Sequence, residues 1–305
     1  MSKKVVKVKV PATTANLGAG FDTFGLALTL YNEFIVEEAD GIFIETYPKS
    51  EFLENPDNNL YIQVVKYLCE RESKTFHGAK LKQISNIPVA RGLGSSASAI
   101  VAGILTGYVV HKRELTDEEF FEVAYRFEPH PDNLLPAWKG GFITALKTDK
   151  KTYYQKVDFP EDIKAIVVIP DFELSTEKAR SVLPSSIPYR DAIFNLQRAT
   201  LFITAIQNRR YDLLKVCMED RLHQPYRKTL IPGFDKVIKN AVDNGALGAS
   251  LSGAGSTMLA LATDNFETIG KSMVEAFKEV GVNAEYKVLD IDREGAKVEI
   301  KDKES

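Results

Sequence analysis

The stretch PVARGLGSSAS, residues 88–98, decides the fold of this chain. Gly92 and Gly94 have no side chains to block a ligand, and the two serines that follow supply hydroxyl groups. The small and apolar run at 97–110 is long enough for a buried helix that begins within this segment. Backbone N–H groups at a helix N-terminus, with the positive end of its dipole, form a site suited to a phosphate. A tight turn or close helix packing is the alternative interpretation.

Two other segments also combine glycine with small hydroxyl residues. They are 13–22 and 250–257, and either one alone is compatible with ordinary turn chemistry. The better-known phosphate loops do not match, since the sequence has neither GxxxxGK followed by Ser or Thr nor GxGxxG after a strand. The HRD and DFG elements of protein kinases are missing as well. The sequence therefore favours a phosphate loop of another kind.

The composition indicates a soluble globular protein. The 305 residues are 44% hydrophobic and 27% charged, with a formal net charge of −3. This balance is not typical of proteins that bind nucleic acid or an anionic membrane, and we expect neither partner. Cys69 and Cys217 lie far apart without metal-ligand spacing, which favours packing roles for both. The sequence has no run of about 18 apolar residues, and we expect a cytoplasmic location.

Hydrophobic periodicity predicts an α+β protein with two lobes. Strands are expected at 6–10, 32–38, 42–47, 80–84, 142–146 and 163–169. Helices are expected at 59–71, 97–110, 117–127, 190–208, 210–219, 233–243 and 266–279. The pattern restarts near residue 155, which predicts lobes at 1–155 and 156–305. Strands and helices do not alternate strictly, and this favours the α+β class.

Three motifs in this sequence resemble those of a known family. PVARGLGSSAS is similar to the second motif of the GHMP kinases, P-x-x-x-G-L-G-S-S-A. PATTANLGAGFDTFGLAL at 11–28 resembles the first motif in its homoserine kinase version, and LSGAGSTMLAL at 251–261 resembles the third motif, which folds against the phosphate loop. The resemblance implies an N-terminal lobe with a left-handed βαβ unit, a ferredoxin-like α+β C-terminal lobe and a site in the cleft between them.

A fourth segment resembles the homoserine kinase branch of the family. EPHPDN at 128–133 is similar to the EGHPDN of that branch, with Pro129 where the family usually has glycine. Mevalonate-type members carry a longer element that ends in a catalytic aspartate. Arg180 and Arg227 resemble two arginines that hold the amino-acid carboxylate, a group that suits a planar guanidinium. The resemblance thus implies ATP-dependent phosphorylation of the side-chain hydroxyl of L-homoserine, in threonine biosynthesis.

The resemblance also implies which residues bind ATP and Mg²⁺. Amide groups of the phosphate loop should cradle the ATP phosphates, and the loop residues concerned are Pro88, Val89, Ala90, Arg91, Gly92, Leu93, Gly94, Ser95, Ser96, Ala97 and Ser98. Ser96 and Glu128 offer oxygen ligands of the kind that Mg²⁺ prefers. For Glu128, a solvated carboxylate at a helix end is the alternative.

The substrate residues follow from the same motifs. Asn16 and Asp22 are expected to bind the homoserine hydroxyl and amino group, with Asx-turn chemistry as the alternative. His130 and Asn133 are expected to orient the substrate, and Asn16 and Asn133 are the candidate catalytic residues. The resemblance implies that the enzyme works without a dedicated base.

Assignments for four residues and two alternative functions complete the expectations. Asp132 is expected to bond neighbouring backbone N–H groups and to stabilise a turn, so we do not assign it as a base. His77, His111 and His223 are assigned to the surface or to packing. One alternative function is a kinase of the same fold for mevalonate, shikimate or a sugar. The other is a binding protein that has lost turnover. A homodimer is the expected assembly.

Overall fold

Residues 4–302 are described by the computed structural model, and they form two β-sheets with helices packed against them. The strands are β1 Lys4–Ala15, β2 Phe24–Glu38, β3 Gly41–Tyr47, β4 Gly78–Ser85, β5 Phe142–Lys147, β6 Thr152–Val157, β7 Lys164–Pro170, β8 Gly248–Leu251, β9 Met258–Ala262, β10 Ala284–Leu289 and β11 Lys297–Asp302. The helices are α1 Glu51–Glu54, α2 Leu60–Arg71, α3 Ser95–Val110, α4 Asp117–Ala124, α5 Pro131–Lys139, α6 Thr176–Ser181, α7 Tyr189–Gln207, α8 Leu214–Cys217, α9 Gln224–Arg227, α10 Phe234–Asp243 and α11 Phe266–Lys278.

The first sheet has the order β11-β1-β2-β4-β3, with β5 paired to β2 and β6 paired to β5. Only β3 and β4 are parallel among these pairs, and α1 and α2 connect them in a βαβ-type unit. Val6, Val8 and Val10 alternate inward along β1 and pack under α2, α3 and α5. β1 runs beyond the predicted 6–10 into the first motif, because a register shift after Pro11 lets the chain continue pairing with β2.

The second sheet is antiparallel in the order β10-β7-β9-β8. Helices α10 and α11 cover one of its faces, and their apolar residues form one core with Ile166, Met258 and Ala260. A ferredoxin-like lobe has this strand order, and the predicted α+β class is confirmed. In the described part of the chain, no helix is long and apolar enough to cross a membrane.

A shared core joins the two sheets. It brings Leu26 and Phe142 of the first sheet together with Leu259 of the second and Phe202 of α7. β6 crosses residue 155, and β11 pairs with β1 although it lies near the C-terminal end of the sequence. The division at 155 and 156 stays a prediction.

Candidate active site

The segment at 88–98 follows β4 and ends in the first turn of α3, and its backbone conformation depends on glycine. Gly92 and Gly94 have φ angles of +77° and +74°, in the left-handed region. A Cβ atom on Gly94 would lie 2.0 Å from Thr13 Oγ1, and one on Gly92 would lie 2.2 Å from the Ser252 carbonyl oxygen. Gly94 is the N-cap of α3 and supplies no side-chain cap, so the first-turn N–H groups of this 16-residue helix stay available. The loop therefore has the geometry of an anion site.

Most of the predicted ATP-binding residues face one cavity. It is lined by Pro88, Ala90, Arg91, Gly92, Leu93, Gly94, Ser95, Ser96, Ala97, Glu128, Asn133, Leu174, Thr176, Gly253, Ala254 and Gly255. Val89 and Ser98 do not line it. Val89 is exposed, and the buried Ser98 hydroxyl donates to the Ser95 carbonyl at 2.7 Å.

The three sequence motifs meet at this cavity. Main-chain and side-chain hydrogen bonds join them: Thr13 N to Leu93 O at 3.1 Å, Gly253 N to Ala15 O at 3.1 Å, Thr257 N to Arg91 O at 3.0 Å and Ser252 Oγ to Gly92 O at 2.7 Å. Segments far apart in the chain thus hold the loop on both sides, and the structure places the third motif against the loop.

A second, polar cavity adjoins the first. It is lined by Asn16, Asp22, Glu128, His130, Asp132, Asn133, Thr176, Arg180, Arg227, Gly253 and Ala254. All six residues predicted to bind the substrate are in this set. Glu128, Asn133, Thr176, Gly253 and Ala254 line both cavities, which makes the two continuous. Thr176 was not assigned from the sequence, where its only local signal is the Ser175 N-cap of α6.

Asp22 and Arg180 form a bidentate ion pair in the second cavity. The two guanidinium nitrogens, Nη1 and Nη2, lie 3.2 and 2.6 Å from the carboxylate oxygens. Asn16 supports Asp22, because its side-chain oxygen accepts from the Asp22 N–H at 3.0 Å while its amide donates to Gly253 O at 3.1 Å. Asp22 is one-third exposed, so this pair is open to a ligand.

Arg227 presents a buried positive charge without a carboxylate partner among the described residues. Its side chain donates to Ala179 O at 3.1 Å and to Gly253 O at 3.0 Å, both neutral acceptors. Burial and, after it, the nearby charge of Arg180 lower the pKa of Arg227 to about 10, so the group remains protonated at neutral pH. Two guanidinium groups in one cavity favour an anionic ligand.

Glu128, His130 and Asn133 lie where the two cavities join. His130 Nδ1 is 2.5 Å from Glu128 Oε1, and the Thr13 hydroxyl donates to Asn133 Oδ1 at 2.7 Å. Ser96 and Glu128 face the same cavity, and a hydroxyl and a carboxylate oxygen fit a magnesium ion that takes its other ligands from phosphate and water. No group of three or more His, Cys, Asp and Glu side chains that could hold a metal occurs within residues 4–302. A cation here would rely on phosphate oxygens.

Asp132 does not play the turn-stabilising role that we expected. It lies in the first turn of α5 and is 5% exposed. The only hydrogen bond to its carboxyl group within the described chain comes from Asn133 Nδ2, at 3.3 Å. The expected bonds from neighbouring backbone N–H groups are not formed, because the helix directs the carboxyl group into the cavity. Burial and, after it, the charge of Asp22 together raise the pKa of Asp132 to about 7.

The chain is similar to known proteins along almost its whole length. The models of the GHMP kinases N terminal domain and of the GHMP kinases C terminal match residues 59–141 and 202–279. A homoserine kinase from Persephonella marina is 74% identical over 297 residues, covering 97% of this chain and 99% of that protein. One from Aquifex aeolicus is 44% identical over 295 residues, covering 96% and 99%. The crystal structure of homoserine kinase from Cytophaga hutchinsonii has a TM-score of 0.86 at 28% identity, covering 97% of each chain.

Proposed function

The chain belongs to the GHMP kinase family, as its three motifs predicted, and we propose that it transfers the γ-phosphoryl group of ATP to the side-chain hydroxyl of L-homoserine. One observation supports this acceptor above others. The cavity beside the phosphate loop contains the guanidinium groups of Arg180 and Arg227 and the carboxyl group of Asp22, which match the carboxylate and ammonium of a free amino acid; Glu128 and Asp132 also line it. Mevalonate, shikimate and galactose have no ammonium group to pair with Asp22.

The phosphate loop binds the ATP phosphates through the open N–H groups of the first turn of α3. These donors are held in place before ATP binds, since the other two motifs fix the loop. Ser96 and Glu128 would hold Mg²⁺, which would neutralise negative charge on the phosphates.

Different residues bind the carboxylate, the ammonium group and the hydroxyl of the amino acid. Arg180 and Arg227 bind the carboxylate, and Asp22 binds the ammonium group. Asn16 and Asn133 hold the hydroxyl towards the phosphate loop, and His130 orients the substrate from the junction of the cavities. Phosphoryl transfer depends mainly on alignment of the acceptor and on charge neutralisation, and this set of residues supplies both.

The reaction proceeds without a dedicated base. The hydroxyl oxygen forms a bond to the γ-phosphorus as the bond from that phosphorus to the β,γ-bridging oxygen breaks, and ADP leaves. The hydroxyl proton passes to an oxygen of the transferred phosphoryl group, which gives O-phospho-L-homoserine. Because the attacking hydroxyl keeps its proton until late in a loose transition state, a base adds little. We place this reaction in threonine biosynthesis in the cytoplasm and expect a homodimer.

A coupled ADP-release assay with homoserine, mevalonate, shikimate and galactose tests the proposal. We expect turnover with homoserine and at least a hundredfold lower kcat/KM with the other three. Faster turnover with one of them would identify a kinase for a different acceptor. A folded protein that binds ATP but releases ADP with none of the four would support the binding-protein alternative.

A further inference from the structure

His223 lies outside the predicted site but contacts two parts of it. Its side chain is fully buried, immediately before α9. Nε2 lies 3.0 Å from the Gly18 carbonyl oxygen, and Nδ1 lies 3.4 Å from Arg227 Nη1. The imidazole also stacks on Phe21, with the ring centroids 4.9 Å apart. The packing role expected from the sequence therefore leaves out two polar contacts, one to the first motif and one to the carboxylate-binding arginine.

The partners of His223 select one tautomer. The Gly18 carbonyl can only accept, so the ring proton lies on Nε2, and the Nδ1 lone pair then faces an Arg227 N–H that can only donate. Burial lowers the pKa of His223, the nearby Asp220 opposes this effect and the charge of Arg227 adds to it. A second ring proton would point at the guanidinium, so the neutral form is the one that fits.

The backbone around His223 is held by a buried carboxylate. Asp220 accepts from the main-chain N–H groups of Leu222, His223 and Gln224 at 3.0, 2.9 and 2.6 Å. Asn195 of α7 also donates to Asp220 at 2.7 Å, which anchors the segment to the lobe core. With its backbone held in this way and its ring packed on Phe21, the imidazole has little freedom to turn from Arg227.

We propose that His223 is a positioning residue that directs Arg227 at the substrate carboxylate. His223 Nδ1 and the Gly253 carbonyl both accept from Nη1, and the Ala179 carbonyl accepts from Nε. Nη2 is left without a partner among the described residues and is free for the ligand. Phe21 packs beside both guanidinium groups, with its ring centroid 5.6 Å from Arg180 Cζ and 5.2 Å from Arg227 Cζ. Because His223 stacks on Phe21, it also holds the ring that contacts both arginines. This inference rests on the proposed function.

The test compares homoserine with 3-aminopropan-1-ol, which is homoserine without its carboxylate. His223→Phe keeps a stacking ring and removes the acceptor, whereas His223→Asn retains an acceptor near the position of Nδ1. We expect His223→Phe to lower kcat/KM for homoserine by about tenfold or more through KM, with KM for ATP and kcat/KM for the amino alcohol changed less than about twofold. His223→Asn should recover most of the loss. His77→Phe, at an exposed site, is the matched control.

An equal loss of kcat/KM with both substrates would show that His223 only stabilises the fold. If kcat/KM changes with neither substrate, His223 has no positioning role. If His223→Phe does not fold, ¹⁵N chemical shifts of the histidines in the wild type decide the matter. We expect a neutral Nε2–H tautomer at pH 7 and a change at Nδ1 on addition of homoserine. A protonated Nδ1, or no response to homoserine, overturns the inference. Failure of the wild type to phosphorylate homoserine would instead refute the proposed function.

Discussion

Arg227→Lys keeps the buried charge of the carboxylate site and removes the guanidinium fork. The native side chain is 2% exposed and donates to the Ala179 and Gly253 carbonyls. A lysine ammonium cannot reproduce both bonds and also contact a ligand, because its donors radiate from one atom. The lysine therefore gives up at least one of these bonds; loss of the bond to Ala179 O costs about 1–3 kcal/mol of folding free energy, whereas Gly253 O keeps the bond from the Asn16 amide.

The same substitution weakens homoserine binding by a calculable amount. Loss of one charge-assisted hydrogen bond to the carboxylate costs about 1.5–3 kcal/mol. At 1.4 kcal/mol for each factor of ten, KM for homoserine should rise roughly 10- to 100-fold. KM for ATP should stay within about twofold, since the phosphate loop is held by other residues.

Steady-state kinetics measures both KM values, with one substrate varied while the other is saturating. Arg190→Lys, at a side chain that is 83% exposed, is the matched control and should leave every constant unchanged. Thermal unfolding of both variants separates a stability loss from a binding loss. Homoserine lactone and homoserine amide should be poor substrates for the wild type. If the wild type phosphorylates them as readily as homoserine, or if Arg227→Lys has a normal KM, the carboxylate does not bind at Arg227.

Four further predictions concern Ser96, Gly94 and Asp132. Ser96→Ala should lower kcat by about tenfold in a folded protein, because a metal ligand is lost from a solvent-reachable loop; a wild-type kcat at saturating Mg²⁺ would remove Ser96 from the metal site. Gly94→Ala should lower kcat and raise KM for ATP, since its Cβ would meet Thr13 Oγ1 at 2.0 Å; wild-type ATP kinetics would show that the loop can relax. Asp132→Asn should lower kcat less than about tenfold between pH 6 and 9, whereas a loss of about 10³ with disappearance of an acidic pH limb would make Asp132 the base. Between its ordinary pKa of 3.8 and its native pKa of about 7, Asp132 binds more protons in the folded state than in the unfolded state, so wild-type stability falls as pH rises through that window. The melting temperature of Asp132→Asn relative to wild type should therefore be higher at pH 8 than at pH 5, and an equal difference at both would contradict the raised pKa.

The helices were predictable where one apolar face repeats along the chain. The helices expected at 59–71, 233–243 and 266–279 match α2, α10 and α11 to within one residue at each end. The helix expected at 210–219 was wrong, because the chain there forms a 3-10 turn at Tyr211–Leu213 and the four-residue α8. Strands β6, β8, β10 and β11 were not predicted. β11, with the sequence KVEIKD, is rich in charged residues, and its strand state depends on pairing with β1 at the other end of the sequence.

The sequence by itself determined the family, the α+β class and most of the residues that line both cavities, because contiguous motifs carry them; Leu174 and Thr176 are exceptions. The tertiary structure alone decided how those residues are paired and charged. Asp22 meets Arg180 across 158 positions of sequence, and His223 meets Gly18 across 205. The raised pKa of Asp132 comes first from burial, which local sequence does not encode. Hydrogen-bond partners, desolvation and electrostatic fields depend on which distant segments fold together, and these effects set the chemistry of a buried side chain.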